Sequence, residues 1–315
     1  MDMKVKKEIN RSYLTDNIVK MSFLFCAIFV VAVIVSVFFF LGVNAFKIFG
    51  EGGRVQDFFF NTNWDPTGGG SVDGTASFGA GGLILGSLVV TVGSIMIATP
   101  LAFGVALFFN EVSVPWINRF LRPLIEIFTG MPSVVIGFFG LIALVPLLQR
   151  LVGNIVGNHQ TAGVGWGAAT LVLVIMILPT ITSISIDALQ TVPGKVREAS
   201  LALGSTRWQM MTRMILPAAI TGLATAVVMG MARAIGEALA VSLVLYGHRL
   251  PSFNQPFFNL FFQPNVTITQ YIAIDFGEAT GAGRDAYFTL AFVLLMISFS
   301  FVCISRYLGS RRIYQ

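Results

Sequence analysis

"QTVPGKVREASLALGSTRWQMMTRMILPAA", Gln190 to Ala219, is a polar, basic stretch set between two long apolar runs. Pro193 and Gly194 end the helix that precedes them, and Val196 to Leu203 suits a short helix of its own. Gly204 suits the C-cap of that helix and Ser205 the cap of the next. Pro217 marks entry into the following apolar run. The stretch reads as helix, sharp turn and helix at the edge of something apolar, with Trp208 at the level where an indole suits lipid headgroups.

The apolar surroundings are membrane. Of 315 residues, 55% are hydrophobic and 11% charged, and mean hydropathy is +0.81, outside the range of soluble domains. Working outward from the loop, hydropathy places helices at about 21–46, 83–109, 124–149, 167–188, 215–247 and 286–307, each long enough for a hydrocarbon layer of roughly 30 Å. The first run follows Lys4, Lys6, Lys7, Arg11 and Lys20, but it is too long for a signal-peptide core and lacks a small-residue cleavage site, so it reads as retained. Cys26 and Cys303 fall inside apolar runs near opposite ends of the chain, which suits packing and argues against a disulfide framework or thiolate metal site.

Charge gives the orientation. Of the 20 Lys and Arg, fourteen lie on the side of the N-terminal tail, the Gln190 loop and the C-terminus, and five on the opposite side. This bias puts both termini in the cytoplasm. The pI of about 9.4 is then a signal of topology, and nucleic acid is not an expected partner.

Several chemistries lack a motif. The glycine-rich "WDPTGGGSVDGTASFGAGG" of the outer loop lacks the Lys-Ser/Thr ending of a phosphate-binding loop and reads as a connector. No G-x-x-x-x-G-K-[ST] occurs, so any ATP would be bound by another subunit. His159 and His248 stand alone in outer loops without metal-ligand spacing, and no H-E-x-x-H or G-x-S-x-G supports an intramembrane hydrolase.

The fifth run, "VVMGMARAIGEALAVSLVLYG" from Val227 to Gly247, carries Arg233 and Glu237 near its middle. On insertion scales each central charge costs about 2.5 to 3.5 kcal/mol, so something must offset both. Four residues apart on one helix, they are expected to pair on a common face. Two readings stay open: an ion pair that locks this helix to a neighbour, helped by Gly230 and Gly236, or charges lining a polar path in which the guanidinium fork matches an oxyanion. Arg122 and Glu126 suit an interfacial pair, Asp187 a solvated carboxylate at a helix end, and Pro132, Pro146 and Pro179 local bends.

Glu198-Ala199-Ser200, three residues, Gly204 and then Leu216-Pro217 resemble the E-A-A loop of ABC-importer permeases, with Ser200 in place of the second Ala and Met214 in place of Ile. "FGAGGLILGSLVVTVGSIMIATPLAFGVALFFNE", "TGMPSVVIGFFGL", "ILPTITSISIDALQTVPGKVREASLALGSTRW" and "ARAIGEALAV" resemble PstC-type permeases of phosphate-specific ABC importers, sharing part of the pattern with their PstA-type sisters. The resemblance implies an all-α polytopic protein with six transmembrane helices and a type-1 ABC importer (MetI-like) core. Its expected divisions are a cytoplasmic tail 1–20, the first helix 21–46, an external loop 47–81, the core 82–308 with its coupling loop at 189–214, and a tail 309–315. It implies that Glu198, Ala199 and Gly204, with Arg197 and Arg207 beside them, dock an ATPase, and that Arg233 and Glu237 lie on the substrate path. The implied partners are a PstA-type second permease, a PstB-type ATPase dimer holding ATP and Mg, and a PstS-type external phosphate-binding protein. This chain itself would hold no cofactor and catalyse no covalent step. The expected location is a prokaryotic inner membrane, and the expected substrate is inorganic phosphate. A permease for sulfate or molybdate, or a secondary anion transporter or channel, are the alternatives.

Overall fold

A computed structural model describes residues 3–50, 54–66, 76–156, 163–245, 250–251 and 256–310. His159, His248 and most of the glycine-rich stretch lie outside the described residues. Helices Asp16–Gly50, Gly81–Val112, Ser133–Gly153, Trp166–Gln190 and Gly281–Ile304 are each long and apolar enough to span a membrane, and a bent pair, Arg207–Ala218 with Ile220–Gly236, makes up to six. The first span is the membrane part of a helix that runs unbroken from Met3 to Ala45, so the basic tail is helical too.

The third and fifth spans depart from expectation. The third starts at Ser133, later than 124, because Pro132 forces Met131 out of the helical region to φ −66°, ψ 134°. The residues before the break form a separate amphipathic helix, Pro115–Gly130, with no buried residue, which suits the membrane surface. The fifth span is not one helix over 215–247. A 72° bend at Ala219 separates it from Arg207–Ala218, and the helix ends at Gly236. Glu237 is extended (φ −86°, ψ 111°), and a short helix, Leu239–Val244, follows. Glycine is a poor helix former, and the Glu237 carboxylate takes the Ala240 N–H at 3.2 Å, replacing a backbone acceptor that an unbroken helix would supply.

The Trp166–Gln190 span is the centre of the bundle, packed by Gly81–Leu107 and Ile220–Gly236. A Cβ at Gly230 would stand 2.5 Å from Ile181 Cγ1, and one at Gly222 2.5 Å from Ala188 Cβ. Close backbone approach is how helices gain contact where lipid is as apolar as protein. Gly236, by contrast, has nothing within 4 Å and marks the break instead. The first span packs on Gly281–Ser310 at the periphery. Cys26 and Cys303 are free and exposed, facing away from the protein interior and not packed in it, because both lie on these two peripheral helices.

The ends of the bundle carry separate apolar clusters. At one, Phe109, Leu189, Met210, Ile215 and Leu223 join the Gln190 loop to the second, fourth and fifth spans. At the other, Phe58, Trp64, Leu83, Val266, Ile268 and Tyr287 gather the long loops. The 47–81 connector is tied down by helices Lys47–Gly50 and Val55–Phe60 and by antiparallel pairing of Trp64–Asp65 with Ser77–Phe78, local structure that composition does not signal. Burial, then Asp275 and Asp65, push the Tyr271 hydroxyl up to about 12, so it stays protonated at neutral pH.

Candidate functional site

The Gln190 loop folds from paired stop and start signals. Helix Gly194–Ala202 ends with Gly204 at φ +81°, a conformation open to glycine. The Gly204 N–H donates to Leu201 O (3.0 Å) and the Ser205 N–H to Ser200 O (3.3 Å), the bond pattern of a Schellman motif. Thr206, not Ser205, caps the next helix, through a reciprocal capping box with Gln209. The Ser205 hydroxyl instead meets the Ser200 hydroxyl at 2.7 Å, so the residue that departs from the E-A-A pattern braces the turn.

Glu198, Ala199, Gly204 and Arg207 are exposed, and Leu203 at the turn is 89% exposed. Leu201 and Trp208 are exposed beside it. Leu201, Leu203 and Trp208 together give the turn an exposed apolar tip. Leu203 was not singled out from sequence, where it read as the last residue of a helix.

Arg197 does something else. Its Nε donates to Glu111 Oε1 at 2.9 Å, Nη1 to Val192 O at 2.7 Å and Nη2 to Leu189 O at 3.1 Å. Arg197 and Glu111 are 24% and 7% exposed. The guanidinium thus joins the loop helix to the ends of the second and fourth spans, adding a donor to carbonyls at and just past the C-terminus of the fourth span. Its position braces the Gly194–Ala202 helix against the spans. Arg122 bonds Asp187 at 3.1 Å and Glu126 at 3.5 Å, so Asp187 is a paired carboxylate that ties the surface helix to the fourth span, not a merely solvated one. These groups are half exposed, and the pairs are each worth under about 1 kcal/mol.

Farther along the bundle, Arg233 and Glu237, both half-buried, do not pair. Among the described residues the ion pairs are those of Arg122 and Arg197, and Arg233 Nη1 instead donates to Thr129 O (3.1 Å) and Thr180 Oγ1 (2.8 Å). The helix break removes the one-turn spacing on which pairing rested. Thr129 lies in the last turn of the surface helix, where carbonyls lack intrahelical donors, and Thr180 lies midway along the fourth span beside Pro179. The other guanidinium N–H groups are left for a further acceptor. Neither threonine was visible from sequence, since each is far from Arg233 in the chain.

Glu237 turns the other way, toward a cavity of about 20 Å³ lined also by Ser87, Thr91, Thr267 and Thr269. This is room for about one water molecule and too little for an oxyanion. Above it, Val266 to Gln270 is inserted among the spans. Ile268 N donates to Ser87 Oγ (2.9 Å), Trp166 Nε1 to Val266 O (3.1 Å) and Gln270 Nε2 to Leu245 O (3.0 Å), all buried. Broken helices at membrane depth, with polar groups facing an interior cavity, are how transporters build their substrate routes.

Comparison with known proteins agrees with this architecture. The family model of the binding-protein-dependent transport system inner membrane component matches residues 98–314. The probable ABC transporter permease protein YqgH of Bacillus subtilis (strain 168) is 40% identical over 91% of this chain and 88% of that protein. The phosphate transport system permease protein PstC of Pasteurella multocida (strain Pm70) is 31% identical over 98% of this chain and 96% of that protein. The PstC of Haemophilus influenzae is 33% identical over 79% of each chain. A chain of the inward-facing MetNI methionine ABC transporter superposes with a TM-score of 0.51 at 20% identity, covering 72% of this chain and 94% of that one, a likeness of fold. With the fold, the turn and the matched residues in agreement, this chain belongs to the family of binding-protein-dependent transport system inner membrane components.

Proposed function

We propose that this chain forms half of the membrane pathway of an ATP-driven importer of inorganic phosphate, acting as the PstC proteins it resembles are named to act. The observation that carries the reading is Arg233: a guanidinium in the last turn of Ile220–Gly236, level with the middle of the fourth span, held by a carbonyl and a hydroxyl, with no carboxylate bound to it among the described residues. At roughly 2.5 to 3.5 kcal/mol for a central Arg, a charge left without a counter-ion needs a reason, and a passing oxyanion supplies it. The guanidinium fork matches phosphate oxygens.

In this reading a homologous second permease completes the route, an ATPase dimer binds ATP and Mg, and an external binding protein delivers phosphate to the outer loops. Glu198, Ala199, Gly204, Arg207 and Leu203 meet the ATPase. Its closure pushes the Gly194–Ala202 helix, and the Arg197–Glu111 bond passes the push to the second and fourth spans. Entry from outside then requires the Val266–Gln270 segment to withdraw from Ser87 and Trp166. Glu237 acts at the break, where its bond to the Ala240 N–H holds the end of the helix that carries Arg233. Both termini face the cytoplasm of a prokaryotic cell, following the excess of basic residues on that side.

The test is uptake of labelled phosphate, with excess sulfate as competitor, in cells that lack their own importer and express this chain with its three partners. ATP-dependent uptake indifferent to sulfate is expected. Uptake blocked by sulfate would reassign the substrate to another oxyanion, and uptake independent of the ATPase would point to a secondary transporter.

A further inference from the structure

A cavity of about 460 Å³ takes no part in the route through Arg233. It lies between the end of the first span, the helix Val55–Phe60 and the last helix, and its wall follows that last helix from Thr289 to Ile304. At 1.5 Å per residue this is about 22 Å, most of a hydrocarbon layer of roughly 30 Å. Spread over that length, the volume describes a long, narrow cleft and not a rounded chamber.

The lining excludes a polar occupant. Its hydroxyls are already engaged: Thr289 Oγ1 lies 2.9 Å from Ala45 O and 3.0 Å from Asp285 O, and Ser300 Oγ donates to Met296 O at 2.7 Å. Burying a polar ligand there would leave its groups unsatisfied. At the connector end the surface changes sign. Lys47, exposed, sits between the lining residues Phe46 and Phe49, and Arg54, exposed, directly precedes the lining residue Val55. Asp57 on the same short helix is also exposed, which leaves that rim with a net positive charge among its described charged groups.

We propose that this cavity is a phospholipid site, with one acyl chain lying along the last helix from Thr289 to Ile304 and the headgroup phosphate at the connector end against Lys47 and Arg54. The first span explains the need. Its most apolar window has no buried residue, and it reaches the core chiefly through the last helix, with Phe46 and Phe292 rings 6.1 Å apart. A chain held in the cleft gives this peripheral helix another apolar wall and joins it to the short connector helices. The site is independent of which anion crosses, so it stands or falls separately from the phosphate reading.

The experiment uses the assembled complex, reconstituted in vesicles of phosphatidylglycerol and phosphatidylethanolamine and then purified into detergent so that only held lipid remains. A benzophenone amino acid in place of Met296, which lines the cleft, is irradiated at that stage. A phospholipid adduct on this chain is the expected product. An adduct to another protein subunit, or to detergent alone, would overturn the proposal, the former giving the cleft to a partner helix. In native mass spectrometry, Met296→Trp, which fills the cleft, should lose a phospholipid that the wild type retains. Lys47→Gln with Arg54→Gln should lower retained phosphatidylglycerol by roughly tenfold. Retention unchanged in both variants would also overturn it. Should Met296→Trp fail to assemble, the crosslink and the paired Gln variant decide.

Discussion

Arg197 and Arg233 are the same side chain in two parts of one molecule, and each bonds a carbonyl near the C-terminal end of a helix. Arg197 also has Glu111 at 2.9 Å, and its donors are spread over a carboxylate and two carbonyls. Arg233 has a carbonyl and a hydroxyl, both on one nitrogen. The first arginine is neutralised and bonded through all three of its nitrogens, as a rigid joint between the loop helix and the spans requires. The second keeps its charge and some of its donors, as a transient anion contact requires. Local bonding, more than residue type, separates the joint from the candidate contact.

The sharpest way to break this contrast is Arg233→Gln. Uptake should fall by roughly a hundredfold or more with the complex still assembled, since the neutral amide can keep neighbouring hydrogen bonds but not the field on an oxyanion. Loss of assembly, seen as missing partner subunits on purification, would return Arg233 to a purely structural role. Gly204→Asp comes next. Nothing lies within 4 Å of a Cβ there, so the cost is backbone strain of about 1 to 2 kcal/mol together with a new charge beside Leu203. The chain should remain in the membrane while ATP hydrolysis continues without uptake, and normal uptake would remove this turn from the docking surface.

Glu111→Gln and Arg197→Gln test the joint. Removing either partner of a largely buried pair costs about 3 kcal/mol or more, whereas removing both should cost much less than the sum. Uptake measured across the double-mutant cycle should show that coupling. Single variants that bind the ATPase normally yet transport poorly would distinguish transmission from docking, while additive effects would dissolve the joint. Glu237→Gln should have a smaller effect, slowing transport by roughly threefold to tenfold with ATPase coupling unchanged, because the amide can still accept from Ala240 N. Wild-type rates would take Glu237 out of the cycle. The smallest change is expected for Thr180→Val, which removes one neutral acceptor from Arg233 and should alter uptake by only about twofold to fivefold. An effect as large as that of Arg233→Gln would mean that orientation of the guanidinium, not its charge, is what matters.

The parts legible in sequence are those governed by local rules. Spans 83–109 and 167–188 match helices Gly81–Val112 and Trp166–Gln190 closely, because continuous apolar runs leave few alternatives in a bilayer. Gly204 was legible as a helix stop because a left-handed turn asks for glycine. The third span is less legible, because its apolar content runs on through Pro132, whose steric effect on Met131 divides the stretch into a surface helix and a later span. The Arg233–Glu237 pair was read from spacing that holds only while a helix is continuous, and Gly236 followed by a carboxylate able to capture Ala240 N–H ended it.

From the sequence alone come the membrane class, the basic side, the lack of a G-x-x-x-x-G-K-[ST] motif, the Gly204 turn and the two charges in the fifth apolar run. Composition, charge count and short motifs determine these, and they depend on neighbours a few residues apart. Tertiary structure alone decided that Arg197 meets Glu111 across 86 positions, that Arg233 meets Thr180 across 53 and Thr129 across 104, and that the segment at Ile268 reaches Ser87 across 181. The physical reason is that a buried donor is satisfied by whichever acceptor packing brings within about 3 Å, and no local pattern records which one that will be.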